Sequence, residues 1–336
     1  MLVLITATSG SGRKDYLEKV RKYALKHNKK IKIYNVGEMI FEQAEKIGIY
    51  LTHENVLNAH PSVISSVRSA VFEKITSDLP HDLKNNDAVI INIHAVFYWK
   101  KVFTRAWDNY YISQMNPDVF VTLIDNAKNV LFNLKSRKQW EKSKLNSKEI
   151  LLWQNVELEM TAGWAEMKKR PFYIILSASS PVMLFRLLFK PNMERVYVSM
   201  PLTHFSSPKG QKIIDRFIKK LEEYFIIFDP RAIEPIFDQK AAKTGSTMFY
   251  QIVNRDFWLI RQSHRVIAYF PKPILSPGVI NELREAHETN KESWLIFPKG
   301  KPISPFLSYY SNRIFRSPGE LFNYLAGNHK SKNLKT

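Results

Sequence analysis

The segment Ser276-Pro277-Gly278-Val279-Ile280-Asn281-Glu282-Leu283 places a hydroxyl, a glycine and a carboxylate between an apolar run at 266–270 and a helical pattern at 281–290. Ser276 and Gly278 fall in the loop of that reading, with Glu282 in the first helical turn. A carboxylate there can reach back over a small molecule at the strand end, where open α/β sheets take their ligands. Alone, Glu282 is equally an ordinary first-turn acid favoured by the helix dipole. Three other groups could complete an acid–base site. Asp256 opens a helical stretch through Trp258, Leu259 and Gln262 within the pattern at 249–262, Tyr197 lies on the apolar run 196–200, and Asp229-Pro230-Arg231 follows the run 225–228. A second carboxylate could protonate a leaving group. Arg231 could orient an anion, although Asp-Pro-Arg is also a turn signal. Asp256 is equally a helix-start acid or half of a surface ion pair, and a strand Tyr such as Tyr197 is commonly core packing.

A second chemical signal sits near the N-terminus. Ala7-Thr8-Ser9-Gly10-Ser11-Gly12-Arg13-Lys14-Asp15 joins an apolar run at 2–7 to a helical pattern at 14–27. Backbone N–H groups and a helix start at such a junction point at an anion. Against the phosphate-loop pattern G-x-x-x-x-G-K-[ST], Ala7 takes the first Gly, Gly12 fits, Arg13 replaces Lys and Lys14 replaces the hydroxyl residue. Gly10, Ser11, Gly12, Arg13 and Lys14 are therefore the candidate nucleotide contacts here. The metal-holding hydroxyl is missing, which argues against ordinary kinase activity, because phosphoryl transfer leans on Mg²⁺ and fixed charges.

The elements that must position these groups alternate. Strand candidates at 2–7, 32–36, 88–93, 119–124 and 172–177 are separated by helical patterns at 14–27, 40–47, 61–75 and 150–167. Strands spaced by helices predict a parallel sheet covered on both faces. The pattern restarts after a Pro-flanked bridge at 181–193, with strands at 196–200, 225–228, 266–270 and 294–297 and helices at 210–224, 249–262 and 281–290. Two three-layer α/β domains follow, 1–190 and 191–326, with a basic, mobile tail at 327–336.

Composition limits the rest. The chain has 336 residues, 45% of them hydrophobic and 13% aromatic, which excludes a disordered chain. It has no Cys, so thiol nucleophiles, disulfides and zinc–thiolate sites are excluded, and any nucleophile is oxygen-based. Fifty Lys+Arg against 31 Asp+Glu give a net charge of +19, which calls for an anionic partner. The nine His show no metal-ligand spacing. No segment reads as a signal peptide or membrane span, and a cytoplasmic protein without a membrane partner is expected. Basic residues at 13–32 form one helix face and the next turn, and without interleaved aromatics nucleic acid is the less favoured partner. The aromatic cluster Phe97-Tyr98-Trp99 with Phe103, Trp107, Tyr110 and Tyr111 reads as packing or a dimer contact.

Two resemblances sharpen these readings. Residues 1–180 resemble archaeal-type adenylate kinases through the loop, Ile33-Tyr34-Asn35-Val36-Gly37-Glu38-Met39, Ile90-Ile91-Asn92-Ile93-His94-Ala95, Asn116-Pro117-Asp118-Val119 and a lid-like Arg137-Lys138. The resemblance implies a P-loop kinase-like fold with a degenerate loop, and a nucleotide such as ATP or AMP bound with help from His94 and Arg137. Asn92 stands where that family usually has an acid. Residues 195–298 resemble the nucleoside 2-deoxyribosyltransferase superfamily, and most closely its 2′-deoxynucleoside 5′-phosphate N-hydrolases. This implies a smaller flavodoxin- or Rossmann-like domain in which Glu282 is the nucleophile on the anomeric carbon. Asp256 is the acid near the base, Tyr197 lines the pocket, and Ser276 with Gly278 meets the 5′-phosphate. The loop Met200-Pro201-Leu202-Thr203-His204 departs from the family's Gly-containing one, and His204 or Lys209 is a candidate for its missing basic residue.

The expectation is an enzyme that cleaves or transfers the N-glycosidic bond of a nucleotide, using no metal or cofactor for that chemistry. Nucleotides or nucleosides are its ligands, and by resemblance it is a homo-oligomer. The alternatives are a nucleotide sensor that has lost catalysis and a nucleoside monophosphate kinase-like phosphotransferase.

Overall fold

The computed structural model describes residues 1–140, 143–205, 207–232 and 247–333. The chain forms two units, Met1–Phe185 and Arg186–Thr336. The division falls inside a helix at 185/186, a few residues before the expected 190. A Pro-flanked apolar segment folds as one helix because Pro181 occupies its first position, where no donor is missed.

In the first unit the chain runs through β1 (Leu2–Thr6), α1 (Arg13–Lys26), β2 (Ile31–Asn35), α2 (Val36–Lys46), α3 (Pro61–Asn85) and β3 (Ala88–Ile93). It continues through β4 (Val96–Trp99), β5 (Val102–Arg105), α4 (Asn109–Met115), β6 (Val119–Ile124), α5 (Ala127–Lys135), α6 (Ser147–Met167) and β7 (Phe172–Leu176), and α7 (Pro181–Phe189) is the helix in which the division falls. Five parallel strands lie in the order β2-β3-β1-β6-β7. The register sets Leu4 beside Ile91 and Phe120. β1 and β3 are wholly buried, as the unbroken apolar runs 2–5 and 88–91 require of strands covered on both faces. One face packs Leu4, Ile91 and Phe120 against Ile40 of α2, Val67, Val71 and Phe72 of α3, and Trp164 of α6. α3 extends ten residues past the expected end at 75 and carries Pro80 in its interior. The antiparallel hairpin β4–β5 was not foreseen; its aromatic run reads in the sequence as packing or a dimer contact. Its tip holds Lys100 and Lys101 at positive φ, 49° and 65°, which hairpin turns usually give to Asn or Gly.

The second unit contains β8 (Arg195–Ser199), α8 (Pro208–Leu221), β9 (Ile226–Phe228), α9 (Thr247–Arg261), β10 (Arg265–Tyr269), α10 (Pro277–Glu288) and β11 (Glu292–Ile296). α11 (Pro305–Tyr309), β12 (Arg313–Phe315) and α12 (Pro318–Asn333) complete it. All its strands are parallel, in the order β9-β8-β10-β11-β12. This is the flavodoxin-like order, whose ligand crevice lies between the first and third strands. Val196, Val198 and Ile267 face the core with Ile214 and Phe217 of α8 and Leu321 and Phe322 of α12. Strand alternation therefore sends Tyr197 and Ser199 to the opposite face. α12 runs on to Asn333, into the segment expected as a mobile tail, and residues 334–336 lie outside the described residues. β12 was also unforeseen, since three residues carry too little pattern to register.

Among the described residues, no helix is long and apolar enough to cross a membrane.

Candidate functional site

Tyr197 and Ser199 are two residues apart on β8, fully buried, and share one face. α10 begins at the carboxyl end of β10, beside β8. Its start is set by Ser276, whose side chain accepts from Val279 N at 3.5 Å, followed by Pro277. The helix thus opens four residues earlier than expected. Gly278 lies in its first turn rather than in a loop, and Glu282 in its second. From there Glu282 turns onto the end of β8. Tyr197 Oη donates to Glu282 Oε1 at 3.0 Å, and Ser199 Oγ donates to Oε2.

Asp256 lies in the C-terminal half of α9 rather than at its start. Its carboxyl feels the charge of Glu282, and Tyr197 feels those of Asp256, Glu282 and Asp229. The crevice at the β8/β10 switch point therefore gathers Tyr197, Ser199, Asp229, Asp256 and Glu282. Burial pushes the Glu282 carboxyl up to about 7, against the pull of its Ser199 and Tyr197 hydrogen bonds. Burial, and then the Glu282 charge, holds the Asp256 carboxyl well above the usual range, partly offset by Arg255. Two partly buried carboxyl groups that feel one another's charge favour holding one proton between them. Such a pair can supply an ionised nucleophile and a protonated acid at one centre.

The other predicted groups divide. Arg231 follows β9 and grips Asp229 through Nε at 3.0 Å and Nη2 at 2.7 Å. Its Nη1 donates to Gln211 at 2.8 Å and Asp215 at 2.9 Å, both on α8. The guanidinium is thus committed to protein acceptors and orients Asp229. Ser276 Oγ caps Val279 N and Ser276 O accepts from Ile280 N, while Pro277 has no N–H, which leaves the Gly278 N–H of the first turn for an anion. A Cβ on Gly278 would meet only Ser276 Oγ, at 3.8 Å, so the approach there is open. His204 and Lys209 are both exposed. Sequence reasoning passed over Ser199; its signal was the two-residue spacing from Tyr197.

In the first unit, the loop between β1 and α1 borders a cleft of about 1270 Å³. Gly10 (φ 82°) and Gly12 (φ 70°) adopt backbone that other residues rarely reach. A Cβ on Gly10 would lie 2.9 Å from Val130 O of α5. Among the described residues, the buried hydroxyls of Thr8 and Ser11 have no hydrogen-bond partner. Arg13 turns inward: it donates to Ala7 O at 3.1 Å and to Ile93 O, and lies 3.4 Å from His94 Nε2. Burial lowers its pKa to about 10, opposed by Glu157. His94 is held well below its ordinary value by burial and by Arg13, so the imidazole is neutral. Lys14 pairs with Glu38 at the surface. Arg137 lines the cleft with Arg68 and Arg105 of α3 and β5. Glu157 of α6, unmarked in the sequence, is wholly buried and accepts Ala95 N at 2.7 Å and Val96 N at 2.9 Å. It ties the start of the hairpin to the region beneath the loop.

A family model described as an AAA domain matches residues 6–151, from the end of β1 into α6. Among solved structures, a CMP N-glycosidase from Clostridium botulinum is 20% identical with a TM-score of 0.26, covering 40% of this chain and 99% of that one. A deoxyadenosine kinase from M. mycoides, solved with dCMP and a flexible dCDP bound, is 14% identical with a TM-score of 0.31, covering 57% and 98%. No curated protein matches the sequence. The first unit is a P-loop kinase-like domain, and the whole chain is α/β with two parallel sheets flanked by helices.

Proposed function

We propose that the second unit cleaves or transfers the N-glycosidic bond of a (deoxy)nucleoside 5′-monophosphate. The observation that carries this reading is Glu282, held at both carboxylate oxygens by Tyr197 and Ser199 at the switch point of the sheet, where its charge acts on Asp256. In the first step a Glu282 oxygen bonds to the anomeric carbon. The C–N bond breaks toward the base, and Asp256 gives its proton to the departing nitrogen. In the second step Asp256, now a carboxylate, takes a proton from water. The hydroxide displaces Glu282 from the sugar and restores both acids. A second base in place of water gives transfer. The N–H of Gly278 at the start of α10 and the open approach there suit the 5′-phosphate. The test is chromatographic detection of free base from a panel of deoxynucleoside and nucleoside monophosphates. Release by the wild type and its loss in Glu282→Gln support the reading; equal release by both refutes it.

The first unit fits a nucleotide binder better than an efficient phosphotransferase. Its loop offers orphaned hydroxyls and backbone N–H groups, while Arg13 and Lys14 are engaged with protein acceptors. Calorimetry with ATP and AMP tests this: binding without turnover is expected, and rapid phosphoryl transfer contradicts it.

A further inference from the structure

We propose that Ser199 is the positioning residue that keeps the shared proton of the carboxylate pair on Asp256 and leaves Glu282 ionised. This rests on the glycosidic reading of the site and adds to it the group that decides which acid plays which part. The geometry is asymmetric. Glu282 receives two hydroxyl donors, one on each oxygen, whereas no hydrogen bond to the Asp256 carboxyl is found among the described residues. Tyr197 and Ser199 face the pair from β8, Asp256 and Arg255 belong to α9, and Asp229 stands at the end of β9. Of the two donors, Tyr197 lies among three carboxyl groups and itself resists ionisation. Ser199 is fully buried at the last position of its strand, where backbone pairing to β10 fixes the hydroxyl against Oε2. A hydrogen bond to a buried charged group shifts its ionisation by roughly a factor of ten or more. Losing it lets the proton move to Glu282, which gives a protonated nucleophile beside an ionised acid, the unproductive arrangement.

The bond also acts after the first step. In the glycosyl-enzyme ester the Ser199 hydroxyl still faces Glu282 and stabilises the carboxylate as it leaves. Ser199→Ala should therefore slow ester hydrolysis as well as move the acid limb, whereas Ser199→Thr keeps the hydroxyl.

The experiment labels the full-length protein with a small epoxide, which esterifies ionised carboxylates, and reads modification of the Glu282 peptide by mass spectrometry across pH. In Ser199→Ala the midpoint should rise by about one unit, with about tenfold slower labelling below it, and Ser199→Thr should match the wild type. Ser199→Cys, similar in size but a weak donor, gives the same reading should the Ala variant fold poorly. An unchanged midpoint in the Ala and Cys variants overturns the proposal. Base release measured in parallel separates the two claims. A shifted midpoint with no release from any nucleotide upholds the role of Ser199 and removes the glycosidic reading.

Discussion

Raising the pH through neutrality should switch the second unit on. Glu282 must be ionised to attack, and burial puts its carboxyl at about 7 instead of 4.5. One ionisation of that value makes kcat/KM fall about tenfold for each pH unit below it. Activity near pH 6 should thus be about a tenth of the plateau, and near pH 5 about a hundredth. A solvated carboxylate would leave it flat over that range. Asp256 must be protonated; burial and the Glu282 charge hold its carboxyl well above its usual range, and its ionisation closes the profile on the alkaline side. The same shift has a stability consequence of fixed sign. A carboxyl whose folded value exceeds its unfolded value contributes fully below about pH 4.5, and that contribution is lost as pH rises through about 7. The difference of about 2.5 units amounts to at most about 3 kcal/mol at alkaline pH. Glu282→Gln, which never ionises, should therefore melt higher than the wild type near pH 8 and match it near pH 4.5. The assays are base release against pH and thermal unfolding at the two pH values. An acid limb of kcat/KM near 4.5, or no pH dependence in the melting difference, would refute a buried, proton-sharing Glu282.

Three further outcomes follow from the contacts. Glu157→Ala strands the Ala95 and Val96 N–H groups and removes the buried countercharge near Arg13, so the first unit should lose about 3–5 kcal/mol, read by denaturant unfolding. Gly10→Ala drives a Cβ to 2.9 Å from Val130 O at φ 82°, and a loss of about 2–4 kcal/mol with weakened nucleotide binding is expected by calorimetry. Arg231→Ala frees Asp229 from its clamp; if Arg231 orients Asp229 without touching the phosphate, kcat should fall about tenfold or more while KM for nucleotide and for the matching nucleoside change alike.

The alternation of strands and helices was legible because buried parallel strands need unbroken apolar runs. β3 and β6 matched their expected ranges to the residue. Some short elements were not legible, although the three-residue β9 was. β12 has three residues, and the hairpin β4–β5 turns on two lysines at positive φ, where pattern predicts Asn or Gly. The start of α10 was placed late because Pro277 and Gly278 read as loop residues, although Ser276 and Pro277 together form a helix start.

The sequence by itself determined which groups are available for chemistry. Without Cys a thiol nucleophile is excluded, and Glu282, Asp256 and Tyr197 are separable as candidates by their places on strands and helices. It also determined that the phosphate loop lacks its lysine and its metal-holding hydroxyl. Only the tertiary structure decided what those groups do, because ionisation and hydrogen bonding depend on neighbours far along the chain. Ser199 meets Glu282 across 83 positions, and Glu157 reaches Ala95 across 62. Arg13, a phosphate ligand by spacing, is turned onto Ala7 and Ile93, and Arg231, an anion ligand by type, is bound to Asp229 and Asp215. A charge is drawn to the nearest well-placed acceptor, and the sequence does not say which acceptor the fold will bring there.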